Sequence, residues 1–253
     1  MIKPCLYWVG SKNKILDKIF DKFPTYIKIY HEPFLGGGSV LFELLNKLES
    51  NLIKVEEIQV SDINEHLINF YKSLKYDLKS LIDELKHLEH NFHSAKLNKM
   101  QSRYKYNIDI DKEVEYYIAQ GRQHVYYYYR EIFNKCTLSN IKRAAIFFFL
   151  NKTGFRGMYR EGPKGFNVPF GRSYVIFYYD QLVNISKMLN KYMVNFSCKS
   201  FVHVKCSSSD DFVYLDPPYF PIKKKSFTTY KVDGFKYGHK RVEELCEYLH
   251  NNN

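Results

Sequence analysis

Tyr26-Ile27-Lys28-Ile29-Tyr30-His31-Glu32-Pro33-Phe34-Leu35-Gly36-Gly37-Gly38-Ser39 runs from alternating residues into a glycine cluster, and Val40 to Leu48 then resumes apolar residues at helical spacing. Alternation over Tyr26 to Tyr30 predicts a strand, the glycines a loop, and the later period a helix. Such a unit lets main chain approach a ligand closely. A second strand is expected over Glu57 to Val60 and ends at Asp62, a position from which a carboxylate can take both hydroxyls of a ribose. Gly36 to Gly38 lacks the G-x-G-x-x-G spacing of a pyrophosphate loop, so an adenosine ligand without phosphates fits better. The alternative is a glycine-rich structural turn with Asp62 at the surface.

Outward from this unit, Ile15, Leu16, Ile19 and Phe20 predict a helix over Ser11 to Phe23 with Ser11 as its cap. Just before it, Trp8 is the single tryptophan of the chain and, taken alone, reads first as a core aromatic before a helix cap. Leu74, Leu81 and Leu88 predict one long helical stretch after Asp62, completing a β-α-β-α start. Helices are expected over Val114 to Ala119, Val125 to Phe133 and Asn140 to Leu150, then a loop rich in Gly, Arg and Pro. Strands over Val194 to Cys198 and Phe212 to Leu215 return to the first pattern. The expected division is a discontinuous α/β domain of residues 1–89 and 181–253 with an inserted domain of residues 90–180.

The formal charge of +11, from 38 Lys and Arg against 27 Asp and Glu, points to a polyanionic partner such as nucleic acid, or else to an ordinary basic surface. Cys5, Cys136, Cys198, Cys206 and Cys246 are scattered without C-x-x-C pairs or a Cys/His cluster, which predicts free intracellular thiols. No signal peptide or membrane span is expected, since the longest apolar block, Ala144 to Leu150, is too short to cross a bilayer. His31, His66, His90, His93 and His124 show no ligand pattern with nearby carboxylates or thiols, so no metal is expected. Heavy use of Lys, Asn, Ile, Tyr and Phe suits an AT-rich coding sequence, as in a phage, a large DNA virus or a low-GC bacterium.

Phe212-Val213-Tyr214-Leu215 leads into Asp216-Pro217-Pro218-Tyr219, which sets a carboxylate, two rigid carbonyls and an aromatic face at a strand end. An exocyclic amine conjugated to a purine is a poor nucleophile. A carboxylate and a carbonyl that accept its hydrogens leave the nitrogen lone pair free to attack, and a phenol ring can stack on the base. The competing reading is a strand closed by a tight Pro-Pro turn.

These segments, in this order, resemble the Dam-type (D12 class) family of adenine-specific DNA methyltransferases. Trp8 to Lys12 is similar to the family's N-terminal cofactor segment, Glu32-Pro33-Phe34 with Gly36, Gly37 and Gly38 to its cofactor loop, and Ser61-Asp62-Ile63-Asn64 to its ribose-binding strand end. The resemblance implies a Rossmann-like S-adenosylmethionine-dependent methyltransferase sheet, with cofactor residues Trp8, Lys12, Glu32, Pro33, Phe34, Gly36 to Gly38, Asp62 and Asp216. Asp216, Pro217, Pro218 and Tyr219 become the catalytic set. Asn151 to Arg160 and Gly165 to Arg172 resemble the target-recognition region. This makes Arg160 a guanine reader, Met158 and Pro169 apolar base contacts, Phe155 a wedge and Arg172 a phosphate contact, with Arg156 and Asn167 also facing double-stranded DNA. The pattern is closest to members that recognise GATC, and the class implies a place in restriction-modification.

Two departures stand out. Tyr7 occupies a position where GATC members often carry a base-reading lysine, and only 34 residues follow Tyr219, so strands that normally flank the catalytic one are expected to be absent from this sequence. The catalytic strand is then expected at a bare sheet edge, covered by a second chain or by self-association. The alternative function is a shortened, inactive relative that serves as a DNA-binding or protein-interaction module.

Overall fold

The structure, a computed structural model, describes residues 1–97, 106–171, 174–218 and 238–252. Tyr219 and Arg172 lie outside the described residues. A short helix α1 (Leu16–Phe20) precedes β1 (Tyr26–Glu32), α2 (Ser39–Glu49) and β2 (Lys54–Asp62). Helices α3 (Glu65–Tyr76), α4 (Leu78–Ser94), α5 (Val114–Ile118), α6 (Arg122–Lys135) and α7 (Asn140–Thr153) follow. After them come a small hairpin, β3 (Glu161–Gly162) with β4 (Gly165–Phe166), then α8 (Tyr179–Lys191), β5 (Asn195–Cys198), β6 (Phe212–Val213) and α9 (Gly238–Asn252).

Strands β5, β2, β1 and β6 lie side by side in that order, and all three pairings are parallel. This is an α/β fold with a Rossmann-like central sheet. The chain order reverses between β1 and β6, and open sheets of this kind receive ligands at the carboxyl ends of the strands flanking such a reversal. Among the described residues β6 has one strand neighbour, β1, through the pairs Tyr30↔Phe212 and His31↔Val213. Two pairs hold a strand weakly, and aromatic packing supplements them. The Phe212 ring lies 4.6 Å from Phe23, and Tyr30, fully buried, stacks on Phe212 at 6.4 Å. Each such pair contributes about 0.5–1.5 kcal/mol beyond its buried area.

Around the sheet, α2 buries Val40, Leu41, Phe42, Leu44, Leu45 and Leu48. Helix α3 is capped by Asn64, whose Oδ1 accepts from the main chain of His66 and Leu67 at 3.1 Å each. Helix α7 buries every residue from Ala144 to Asn151, as a helix must when neighbours cover it all round. It packs on α3 and α4, with Phe148 stacked on Phe70 at 5.3 Å and Phe149 edge-on to Phe92 at 5.4 Å. Tyr126, Tyr127 and Tyr129 of α6 are buried, as core residues should be. Among the described residues no helix is long and apolar enough to cross a membrane.

Local expectations fail where long-range contacts intervene. Ser11 caps no helix: α1 begins at Leu16 without a side-chain cap, because residues before it turn so that the Lys12 main-chain N–H donates to Ser39 Oγ at 3.2 Å. The stretch through Leu74, Leu81 and Leu88 is two helices, broken at Asp77, whose φ of −130° and ψ of 36° are not helical. The strand expected over Phe212 to Leu215 is regular only at Phe212 and Val213.

Candidate active site

Three strand ends converge. β1 delivers Glu32 into Pro33 and Phe34, β2 ends at Asp62, and β6 runs on towards Asp216 after Tyr214 N–H donates to the His31 carbonyl at 2.9 Å. The glycine loop is fixed to β2 because Leu35 N–H donates to the Ser61 carbonyl at 3.1 Å and Gly36 N–H donates to Asp62 Oδ2 at 3.1 Å. Asp62 Oδ1 accepts from Asn64 N–H at 2.9 Å, so the carboxylate is held between the loop and the start of α3. Gly36 (φ +51°) and Gly37 are required by Trp8: a Cβ at Gly36 would sit 2.9 Å from the indole, and one at Gly37 2.7 Å from the Trp8 Cβ. Phe34 is half-buried and its ring lies 5.1 Å from Phe201.

The Lys12 ammonium donates to Asp216 Oδ2 and, at 2.9 Å, to the Gly10 carbonyl. The N-terminal segment therefore reaches the end of β6, with half-buried Pro217 and Pro218 following. Glu32 is 2% exposed, and its Oε2 accepts from the Tyr30 hydroxyl at 2.9 Å. Burial above all pushes the Glu32 carboxyl up to about 8; the Tyr30 hydrogen bond opposes this, while the charges of Asp216 and Asp62 push the same way. Three carboxyl groups thus share one strand-end region in a partly desolvated setting. A ligand bearing positive charge relieves their repulsion.

The model for the D12 class N6 adenine-specific DNA methyltransferases matches residues 8–253. The chain belongs to this family. It is 40% identical over 241 residues to a type II methyltransferase, M.MjaIII, of Methanocaldococcus jannaschii, covering 90% of this chain and 73% of that protein. It is 29% identical to the type II methyltransferase M1.LlaDCHI of Lactococcus lactis subsp. cremoris, covering 93% of this chain and 72% of the relative. To the DNA adenine methylase of Haemophilus influenzae it is 30% identical, covering 95% and 72%.

The segment that the family resemblance assigns to target recognition exposes part of its side chains in this family member. Phe155 is 41% exposed, and Arg156, Asn167 and Pro169 are exposed as well, with Met158 and Arg160 half-buried. Phe155 N–H donates to the Pro169 carbonyl at 2.8 Å, and Gly154 and Phe170 form an antiparallel bridge that closes the base of the segment. Arg160 Nε donates to Asn167 Oδ1 at 2.6 Å, joining the two arms next to the β3-β4 hairpin. The Arg156 guanidinium lies 5.1 Å from the centre of the Phe155 ring.

The segment around Phe155 to Asn167 and the strand ends meet through residues that local reading does not single out. The Asn151 side chain, 3% exposed, accepts from Tyr7 N–H at 2.9 Å and donates to the Tyr7 and Gly157 carbonyls at 2.8 and 3.1 Å. Gly157 (φ +61°) admits this approach, since a Cβ there would fall 2.2 Å from the Tyr7 Cβ. Trp8 stacks on Tyr159 at 5.9 Å, and the Lys152 ammonium sits 4.2 Å from the Tyr7 ring centre. The one sequence signal was an asparagine placed directly after the apolar run Ala144 to Leu150 of α7.

Proposed function

We propose that this chain transfers a methyl group from S-adenosylmethionine to N6 of an adenine in duplex DNA, within GATC, with the adenine rotated out of the helix. N6 adenine methylation of DNA is the activity of its class; the cofactor, the sequence and the extruded base are the finer reading. The observation that carries it is the meeting of Lys12 and Asp216 near Glu32 and Asp62, at strand ends tied through Trp8 and Asn151 to an exposed basic segment. The carboxyl-rich region suits this cofactor, which is cationic at its sulfonium and ammonium groups. Trp8, Lys12, Glu32, Pro33, Phe34, the Gly36 to Gly38 loop and Asp62 would hold it, Asp62 at the ribose.

When bound, the cofactor supplies an electrophilic methyl carbon on a positively charged sulfur. Asp216 and the Pro217 carbonyl accept the two amino hydrogens and aim the nitrogen lone pair at that carbon, Pro218 stiffens the turn, and Tyr219 stacks on the base. Once N6 carries the methyl group, its surplus proton would pass to the Asp216 carboxylate. Positioning supplies much of the acceleration. Phe155 fills the gap in the duplex, Met158 and Pro169 contact base edges, Arg160 reads guanine, and Arg156, Asn167 and Arg172 face the backbone. In this reading residues 1–89 and 181–253 form the catalytic domain, residues 90–180 recognise the target, and self-association or a second chain covers the free side of β6.

Tritiated methyl transfer to duplexes carrying GATC or a permuted site tests the proposal. Label in adenine of the GATC duplex alone supports it. DNA binding with no incorporation favours the inactive binding module, and light scattering across concentrations tests self-association.

A further inference from the structure

His31 lies at the carboxyl end of β1 and is 6% exposed, yet among the described residues its Nε2 has no hydrogen-bond partner. Facing it, directly before β6, Asp211 uses only one of its oxygens. Oδ2 accepts from Ser207 N–H at 2.7 Å, Ser208 N–H at 3.1 Å and the Ser207 hydroxyl at 3.3 Å, while buried Oδ1 has no partner among the described residues. The Cys206 thiol completes the group: one ligand atom from each of His31, Cys206 and Asp211 lies within 4.8 Å of the others. A nitrogen and a carboxylate oxygen are thus sealed from water without mutual satisfaction, beside a sulfur, and none of the three belongs to the methyl-transfer machinery.

We infer that His31, Cys206 and Asp211 form a binding site for a zinc-type divalent ion that clamps β6 onto β1. The donor set selects the ion. Imidazole nitrogen, thiolate and carboxylate together suit Zn²⁺ or Co²⁺ and do not suit Mg²⁺ or Ca²⁺, which take oxygen ligands. One thiolate and one carboxylate balance the two positive charges. Zinc bonds of about 2.0–2.3 Å put tetrahedral ligands roughly 3.3–3.8 Å apart, a contraction that small side-chain rotations provide. Linear spacing conceals this set, which is why the sequence predicts no metal; parallel pairing of His31 with Val213 brings it together. The effect is structural. β6 pairs with β1 at two positions, and an ion shared by His31 and the loop before β6 fixes the strand whose far end carries Asp216.

Dialysis of the full chain against a chelator, followed by titration with Co²⁺ and then Zn²⁺, tests the site. One cobalt per chain is expected, with tetrahedral ligand-field absorption and a thiolate-to-cobalt charge-transfer band that one equivalent of Zn²⁺ removes, and Zn²⁺ should raise the melting temperature. Cys206→Ser should abolish the charge-transfer band, and His31→Gln should weaken Zn²⁺ binding by about tenfold or more. Cys246→Ser, at an exposed thiol on α9, should leave both unchanged. Absence of the band in the wild-type chain, its persistence in Cys206→Ser, or Zn²⁺ affinity unaffected by His31→Gln overturns the inference. Methyl-transfer activity is not part of this readout, so the function proposed above stands or falls separately.

Discussion

The strand ends and the recognition segment are built in opposite ways. At the strand ends, main-chain donors and a buried aromatic partner fix acidic side chains, as Gly36 fixes Asp62 and Tyr30 fixes Glu32. The segment assigned to recognition exposes Phe155, Arg156, Asn167 and Pro169 between buried Tyr159, Phe166, Val168 and Phe170, and is held by Trp8, Tyr126 and Asn134 as well as at its base and at the Tyr7-Asn151-Gly157 junction. The difference separates chemistry, which needs preset charges in a dry setting, from readout, which needs side chains in water until DNA arrives.

The sharpest way to break that division is Asp216→Ala. It should cost roughly 10²–10³-fold in kcat, as loss of a preset hydrogen-bonding group does, with DNA affinity nearly unchanged in gel-shift titrations. A comparable loss of DNA binding would merge the two regions. Asn151→Ala comes next. It strands the Tyr7 N–H and two carbonyls in a buried place, costing about 1–3 kcal/mol in denaturant unfolding, and it should raise KM for DNA and cofactor together. A rise in one KM alone would show that the junction does not couple them.

Arg160→Ala sharpens the other side. Discrimination against sites with an altered guanine should fall by about 1–3 kcal/mol, measured as a ratio of kcat/KM between duplexes, while the cofactor KM stays constant. A separate effect, on stability rather than turnover, concerns Glu32. Its carboxyl is raised by burial to about 8 from 4.5, so between those values the native state holds a proton that the unfolded chain has released. Stability is fully present below the lower value and is lost as pH rises through the upper one. Glu32→Gln should flatten that decline in thermal melts between pH 5 and 9, and an unchanged slope would place the titration elsewhere.

Much of this was legible in the sequence where the signal was local. Alternation in Tyr26 to Tyr30, the glycine run and the apolar spacing of Val40 to Leu48 mark β1, its loop and α2, and the four motifs mark the family. The α8 helix was legible too, in the spacing of Leu182, Ile185 and Leu189, but it is not among the sequence-based expectations. The hidden features are contacts between distant segments. Lys12 leaves the predicted helix because Ser39 and Asp216 hold it, Asn151 joins regions its neighbours in sequence do not reveal, and the His31 set exists only once β6 lies on β1. Local period carries no information about such pairings.

The most direct measurement of whether both regions serve one adenine is the fluorescence of 2-aminopurine placed at the target adenine of a GATC duplex. The account predicts a strong rise on binding of the wild-type chain, retained by Asp216→Ala and lost by Asn151→Ala. Fluorescence that stays at the stacked level while the wild-type chain methylates the natural duplex would contradict it.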